Sequence, residues 1–321
     1  MVIKMKQITK QTLEEIERKF KTNNGYVLSN ENLIYCPQVN GLVNICLNEL
    51  GFLQEAKNNC QGFLDSSSHD KVSGLFWREV DLKGNIKVPK INTCKNSIFA
   101  LALSQCEFSD AANEIMDSLK RGPAYNLQEK LFTREYDSKT REVNPLIITQ
   151  SNLWAALAYV QLGRKQEATQ LVESLEEQKF DKSTGLFISQ DCRLKNAEQN
   201  FYCDDQALAI IVYSNLGEQE KAMKLMQNTI DRLYDARTGL FNSSSIDKNK
   251  STYKNSLMGF ALGRLGQYHK LLKLQKGLVS LFYDEKSKLF RQSTTDKTEI
   301  PDNSALALVC LNYNHIRHLV F

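Results

Sequence analysis

The chain has 321 residues, 42% hydrophobic and 24% charged, with five prolines and a net charge of +4. Such a composition excludes extended disorder, and a small net charge without any run of five basic residues excludes an electrostatic nucleic-acid or membrane footprint. No apolar stretch nears the roughly 20 residues that cross a bilayer, and the first 20 residues scatter Lys4, Lys6, Lys10, Glu14, Glu15 and Glu17 among their apolar positions, unlike an export signal; a cytoplasmic location is expected.

Residues 1–20 read as an amphipathic outer helix with no inner partner. Asn24-Gly25-Tyr26-Val27 follows, a degenerate copy of a marker that returns as Ser73-Gly74-Leu75-Phe76, Glu129-Lys130-Leu131-Phe132, Thr184-Gly185-Leu186-Phe187, Thr238-Gly239-Leu240-Phe241 and Ser287-Lys288-Leu289-Phe290. The markers fall at 25, 74, 130, 185, 239 and 288, at intervals of 49, 56, 55, 54 and 49 residues. Asp181 and Asp235 open the best copies. A second marker, Leu-Gly, ends a helix at Leu50-Gly51, Leu162-Gly163, Leu216-Gly217 and Leu265-Gly266. The segment before it is apolar all round, as in Ala207–Tyr213, and predicts a buried inner helix; the segment after it, as in Gln166–Leu175, spaces its apolar residues three and four apart and predicts an outer helix.

Near the end, Ser304–Tyr313 reads as an inner helix with no outer partner. Paired with residues 1–20 it completes a sixth hairpin, and the wrap-around interval becomes 58, in line with the others. An open solenoid caps its ends with polar faces, whereas Ala305, Leu306, Ala307, Leu308 and Val309 need a neighbour. The expected fold is therefore all-α, one closed (α/α)6 toroid spanning residues 1–321 as a single domain.

With these repeats the chain resembles the six-hairpin α/α toroid enzymes, among them unsaturated glucuronyl hydrolases and N-acylglucosamine 2-epimerases. The resemblance covers essentially the whole chain and is architectural, since terpene cyclases, protein prenyltransferase subunits and lanthionine cyclases share such rings. It implies paired histidines if the chain is an epimerase of this kind, but His69, His269, His315 and His318 all lie away from the inner-helix starts. Trp77 and Trp154 are too few, and Asp204-Asp205 too short, for the repeats and aspartate-rich motif of a terpene cyclase.

In such a ring the amino ends of the inner helices converge on one mouth. Those ends read Tyr35-Cys36-Pro37-Gln38, Thr93-Cys94-Lys95-Asn96, Thr149-Gln150-Ser151-Asn152, Tyr202-Cys203-Asp204-Asp205, Tyr253-Lys254-Asn255-Ser256 and Pro301-Asp302-Asn303-Ser304. An Asn or Asp recurs at Asn96, Asn152, Asp205, Asn255 and Asn303, either to start the helices or to form a polar ring facing a pocket. The long segments Thr133–Ile148 and Ile188–Phe201 are expected to roof the mouth as functional loops.

A small polar ligand, a sugar above all, suits this lining, because aromatic faces meet C–H faces while amides and carboxylates meet hydroxyls. The expected substrate-binding residues are Tyr35, Gln38, Lys95, Asn96, Asn152, Trp154, Tyr202, Cys203, Lys254, Asn255 and Asn303. Glycoside hydrolysis needs an acid and a base, for which Asp204 or Asp205 and Asp302 are the candidates, against first-turn carboxylates that merely answer the helix dipole. The eight cysteines (Cys36, Cys46, Cys60, Cys94, Cys106, Cys192, Cys203 and Cys310) are expected as thiols. Cys36, Cys94 and Cys203 precede or open inner helices, where thiolate would be favoured, but without a Cys-Xaa-Xaa-Cys pair or a nearby histidine no metal site is expected, and no cofactor is implied. The leading function is a glycoside hydrolase-like enzyme on a small polar sugar, with no nucleic-acid or membrane partner. The alternatives are a cyclase or transferase on an apolar substrate and a non-catalytic helical-repeat scaffold.

Overall fold

The computed structural model describes residues 2–28, 33–189 and 200–313, and twelve helices alternate along them. The inner set is α2 (Pro37–Glu49), α4 (Thr93–Gln105), α6 (Thr149–Gln161), α8 (Cys203–Leu216), α10 (Thr252–Arg264) and α12 (Pro301–Asn312). The outer set is α1 (Val2–Phe20), α3 (Leu53–Asp65), α5 (Ser109–Arg121), α7 (Lys165–Lys179), α9 (Gln219–Leu233) and α11 (Tyr268–Phe282). In α8 every residue from Cys203 to Tyr213 is buried, whereas α5 buries only Ala112, Ile115, Met116 and Leu119, one stripe at helical spacing. No helix among the described residues is long and apolar enough to cross a membrane.

Two compact units divide the chain. One comprises 21–180 with 189–199 and contains α2–α7; the other comprises 1–20, 181–188 and 200–321 and contains α1 and α8–α12. In the first, α4 packs between α2 and α6; in the second, α10 packs between α8 and α12, and α12 packs on α1. The expected pairing of terminal helices is therefore present: Asn312 Nδ2 donates to Thr9 Oγ1 at 2.8 Å, and Thr12 Oγ1 donates to the Lys288 carbonyl at 2.8 Å.

Inner and outer helices join through one repeated turn. Its residue in the left-handed region is Gly217 (φ 88°) after α8, and Glu107 (φ 67°) in the hairpin whose sequence lacks the Leu-Gly marker. The next residue's amide bonds back to the helix in both, Glu218 to Tyr213 at 2.8 Å and Phe108 to Leu103 at 2.9 Å.

Five outer helices run into a two-residue antiparallel pairing that contains the Leu-Phe marker or its equivalent, and α11 runs into a single bridge, Tyr283 to Phe290. An Asx side chain caps the turn: Asp181 accepts from the Ser183 amide at 2.9 Å, Asp235 from Arg237 at 3.0 Å and Asn126 from Gln128 at 3.0 Å. The hairpin is then clamped to the inner helix that follows. The amide of Phe132 donates to Asn152 Oδ1 at 2.7 Å, and Asn152 Nδ2 donates back to the Phe132 carbonyl at 2.9 Å and to the Ile148 carbonyl at 3.1 Å. Asn40, Asn96, Gln206 and Asn255 make the same reciprocal pair with Tyr26, Phe76, Phe187 and Phe241, and Ser304 makes its accepting half with Phe290.

A further stitch links successive repeats within each unit. The first amide of an inner helix donates to the strand-like segment after the next hairpin: Thr93 to Arg134 at 3.1 Å, Cys203 to Ser243 at 3.1 Å and Thr252 to Gln292 at 3.0 Å.

The expected purely helical architecture is supplemented by a six-stranded antiparallel sheet in the 21–180 unit. Its long strands, Leu75–Asp81 and Ile86–Asn92, meet at a turn in which Asp81 Oδ1 accepts from the Lys83 and Asn85 amides, both at 2.9 Å. Glu135–Asp137 and Val143–Asn144 extend this sheet, so Thr133–Ile148 is part strand rather than a loop throughout.

Candidate active site

The recurring Asn of the inner-helix starts has a structural use different from the expected polar ring. Asn96, Asn152 and Asn255 have no exposed surface, and their amides bind hairpin backbone as described above. The equivalent residues in the other repeats are Asn40, Gln206 and Ser304, so Asp205 and Asn303 stand one place earlier and outside the clamp. Neither expected account, helix cap or pocket lining, describes the three asparagines, because they lie one turn inside the helix and hold the preceding hairpin. Trp154 and Cys203 are likewise fully enclosed. Burial, reinforced by Asp204, pushes the Cys203 thiol well above its ordinary value, which corrects the expectation of a thiolate there.

In the unit holding α8, α10 and α12, where α10 packs on both of the others, the first turn of each helix carries charged residues. Asp204, Asp205 and Asp302 are 6%, 2% and 1% exposed. Lys254 Nζ lies 3.2 Å from Asp204 Oδ1 and donates to the Ser243 carbonyl at 3.2 Å, with its ammonium 4.1 Å from the centroid of the Tyr202 ring. Burial alone pulls this ammonium's pKa down, but Asp204, with Cys203 and Asp205 adding to it, outweighs burial and holds it above the ordinary lysine value. Asp302 Oδ1 accepts from the Asn303 amide at 2.9 Å, and Asn303 is 2% exposed. Asp204 and Lys254 set a carboxylate beside a fixed cation, in surroundings far drier than a surface.

In the 21–180 unit, Tyr35 bonds Thr22 Oγ1 at 2.7 Å, Gln38 is half-buried, and Lys95 Nζ lies 3.1 Å from Cys36 Sγ and 4.0 Å from Glu79 Oε1. Beside them is an ion cluster that the sequence reading missed. Glu135, with 3% exposure, takes Lys90 Nζ on one oxygen and Arg78 Nη1 on the other, both at 3.2 Å, with Asn92 Nδ2 at 3.4 Å. Burial raises the Glu135 pKa, but these donors outweigh it and the carboxyl sits below its ordinary value. Arg78 Nε also lies 3.4 Å from Glu79. The available signal was a repeat, since Phe76-Trp77-Arg78-Glu79 and Phe132-Thr133-Arg134-Glu135 both place Arg-Glu two residues after the marker's Phe.

The remaining expectations fall elsewhere. His69 stacks on Phe76 with ring centroids 4.6 Å apart, and His269 lies in outer helix α11. His315, His318, Cys192 and most of Ile188–Phe201 lie outside the described residues. Among the described residues no group of three or more His, Cys, Asp or Glu could hold a metal ion.

No family model matches this sequence, and no curated protein matches it. Solved structures do match. A D-mannose isomerase superposes with a TM-score of 0.79 at 12% identity, covering 97% of both chains. A cellobiose 2-epimerase from Bacillus thermoamylovorans gives 0.78 at 13% identity, over 98% of this chain and 100% of that one. A GH76 alpha-mannanase from Bacteroides thetaiotaomicron gives 0.75 at 12% identity, over 97% and 96%. At these identities the likeness establishes the fold: the chain has the (α/α)6 toroid fold found in sugar epimerases and glycosidases.

Proposed function

We propose that the chain is a carbohydrate-active enzyme of glycoside hydrolase type acting on a small polar sugar, with Asp204, Asp205 and Asp302 as its carboxyl groups. The observation that carries this reading is three almost fully buried carboxyls on the first turns of α8 and α12, the two inner helices that flank α10. Burying charge costs several kcal/mol per ion, roughly, even after relaxation, and the hairpin clamp does not use these carboxyls, since Gln206 and Ser304 hold the hairpins. Structural likeness to an epimerase, an isomerase and a mannanase supports the sugar as substrate class.

The roles divide by environment. Asp204, 3.2 Å from the Lys254 ammonium, suits a base or charge stabiliser. Asp205 or Asp302 is then the proton donor, with Tyr202, Lys254 and Asn303 placed for sugar hydroxyls. In the 21–180 unit, Tyr35, Gln38 and Lys95 are the corresponding candidates. An apolar cyclase would require aromatic walls where α8, α10 and α12 instead present carboxyls, an ammonium and an amide.

The test is turnover of a panel of aryl glycosides and free disaccharides by Asp204→Asn, Asp205→Asn and Asp302→Asn. At least one variant is expected to lose about 10²- to 10⁴-fold in rate while keeping the wild-type circular dichroism. Wild-type rates in all three would refute the assignment.

A further inference from the structure

A second polar site lies in the 21–180 unit and shares no residue with the carboxyl cluster. It is a cleft of about 340 Å³ between the turn at Lys71–Leu75, the last two turns of α5, and the turn joining Glu135–Asp137 to Val143–Asn144. Lys71, Arg121 and Arg141 enter it from these three segments, with Glu114 as the one acidic residue of the lining.

The two arginines are not engaged with carboxylates among the described residues. Arg121 has only a 3.5 Å bond to Ser118 Oγ, and Arg141 has its guanidinium 5.3 Å from the Tyr136 ring centroid. Lys71 is anchored by the Leu64 carbonyl at 3.1 Å, beside His69 Nδ1 at 3.0 Å. A cation at a helix C-terminus such as Arg121 answers the helix dipole, but Arg141 lies on a turn and has no such reason to be there. Gly74 also lines the cleft (φ 71°), and a Cβ in its place would sit 3.2 Å from Ser118 Oγ and 3.3 Å from Glu114 Oε1.

We propose that this cleft binds a phosphate-class dianion, a free phosphate or the phosphoryl group of a sugar, between the guanidinium forks of Arg121 and Arg141. Two planar forks each offer paired N–H donors, the geometry that matches a tetrahedral oxyanion, and three cations against one carboxylate leave the cleft the charge a dianion needs. Glu114 accepts hydroxyls of whatever the phosphoryl group carries. The turn itself does not require an arginine at 141. Asp137-Ser138-Lys139-Thr140-Arg141 repeats the Asp-Xaa-Xaa-Thr-Gly pattern of 181–185 and 235–239, with Arg141 (φ 62°) standing where those turns have Gly185 (φ 68°) and Gly239 (φ 75°).

Arg141→Gly is therefore the test, with Arg121→Gln beside it. Calorimetric titration with inorganic phosphate and with glucose 6-phosphate is expected to show binding to the wild-type protein, weakened about tenfold or more in each variant. The melting temperature of unliganded Arg141→Gly is expected at or above wild type. Tighter binding of glucose 6-phosphate assigns the cleft to phosphorylated sugars, and equal affinities assign it to the free anion; either supports the site. Absence of binding by both anions, or affinities unchanged in both variants, overturns it while leaving the carboxyl assignment untouched.

Discussion

Replacing Asn152 with alanine tests whether the hairpin clamp is a main support of the fold. Asn152 is fully buried and holds both backbone groups of Phe132, accepting at 2.7 Å and donating at 2.9 Å. Alanine leaves that N–H and that C=O without protein partners in a dry environment, at about 1 to 3 kcal/mol each, and opens a small void beside them. The expected loss is about 3 to 5 kcal/mol, read as a lowered urea midpoint by circular dichroism, with faster hydrogen exchange at the Phe132 amide. Asn152→Gln is the control: Gln206 performs the same task in another repeat, so the loss should stay below about 1.5 kcal/mol. An alanine variant within about 0.5 kcal/mol of wild type would refute the reasoning.

Three other outcomes follow from the same geometry. Lys254 has a raised pKa, so the stability it contributes is complete below the unfolded value of about 10.4 and lost as pH rises through the folded value; Lys254→Met should remove this alkaline dependence in pH-resolved melts and cost up to about 3 kcal/mol near neutrality. Glu135 has a lowered pKa, so its contribution is present above the unfolded value of about 4.3 and fades as pH falls through the folded one; Glu135→Gln should flatten the acid limb of the stability profile. Lys130 occupies the left-handed position of its hairpin (φ 55°), so Lys130→Gly should raise stability by about 0.5 to 1 kcal/mol in urea titrations, after allowing for the greater freedom of glycine in the unfolded chain.

The helical plan was legible because its signals are periodic: apolar inner segments, striped outer ones, and glycine where the backbone turns left-handed. The pairing of residues 1–20 with 304–313 followed from the spacing of those signals. Degenerate copies obscured less than expected, since Glu107, Lys130 and Lys288 adopt the backbone of the glycines they replace. The sheet was hidden because Pro89 and the charged residues Arg78, Glu79, Lys87 and Lys90 interrupt the alternation that marks strands. The clamp was misread because asparagine at a helix start has an ordinary local explanation, and only tertiary structure reveals a partner 20 residues away. In α8 the misreading was compounded by residue type, as Asp205 looks like the counterpart of Asn96 while Gln206 does its work.

This arrangement separates what carries the scaffold from what can vary. In each inner helix the fourth residue grips the preceding hairpin, and a Thr, Pro or Cys stands first. Between them lie two places the hairpin clamp does not use: Gln38-Val39, Cys94-Lys95, Gln150-Ser151, Asp204-Asp205, Tyr253-Lys254 and Asp302-Asn303. Six such dipeptides form a set of exchangeable inserts, through which a new selectivity could be written into this protein without redesigning its frame.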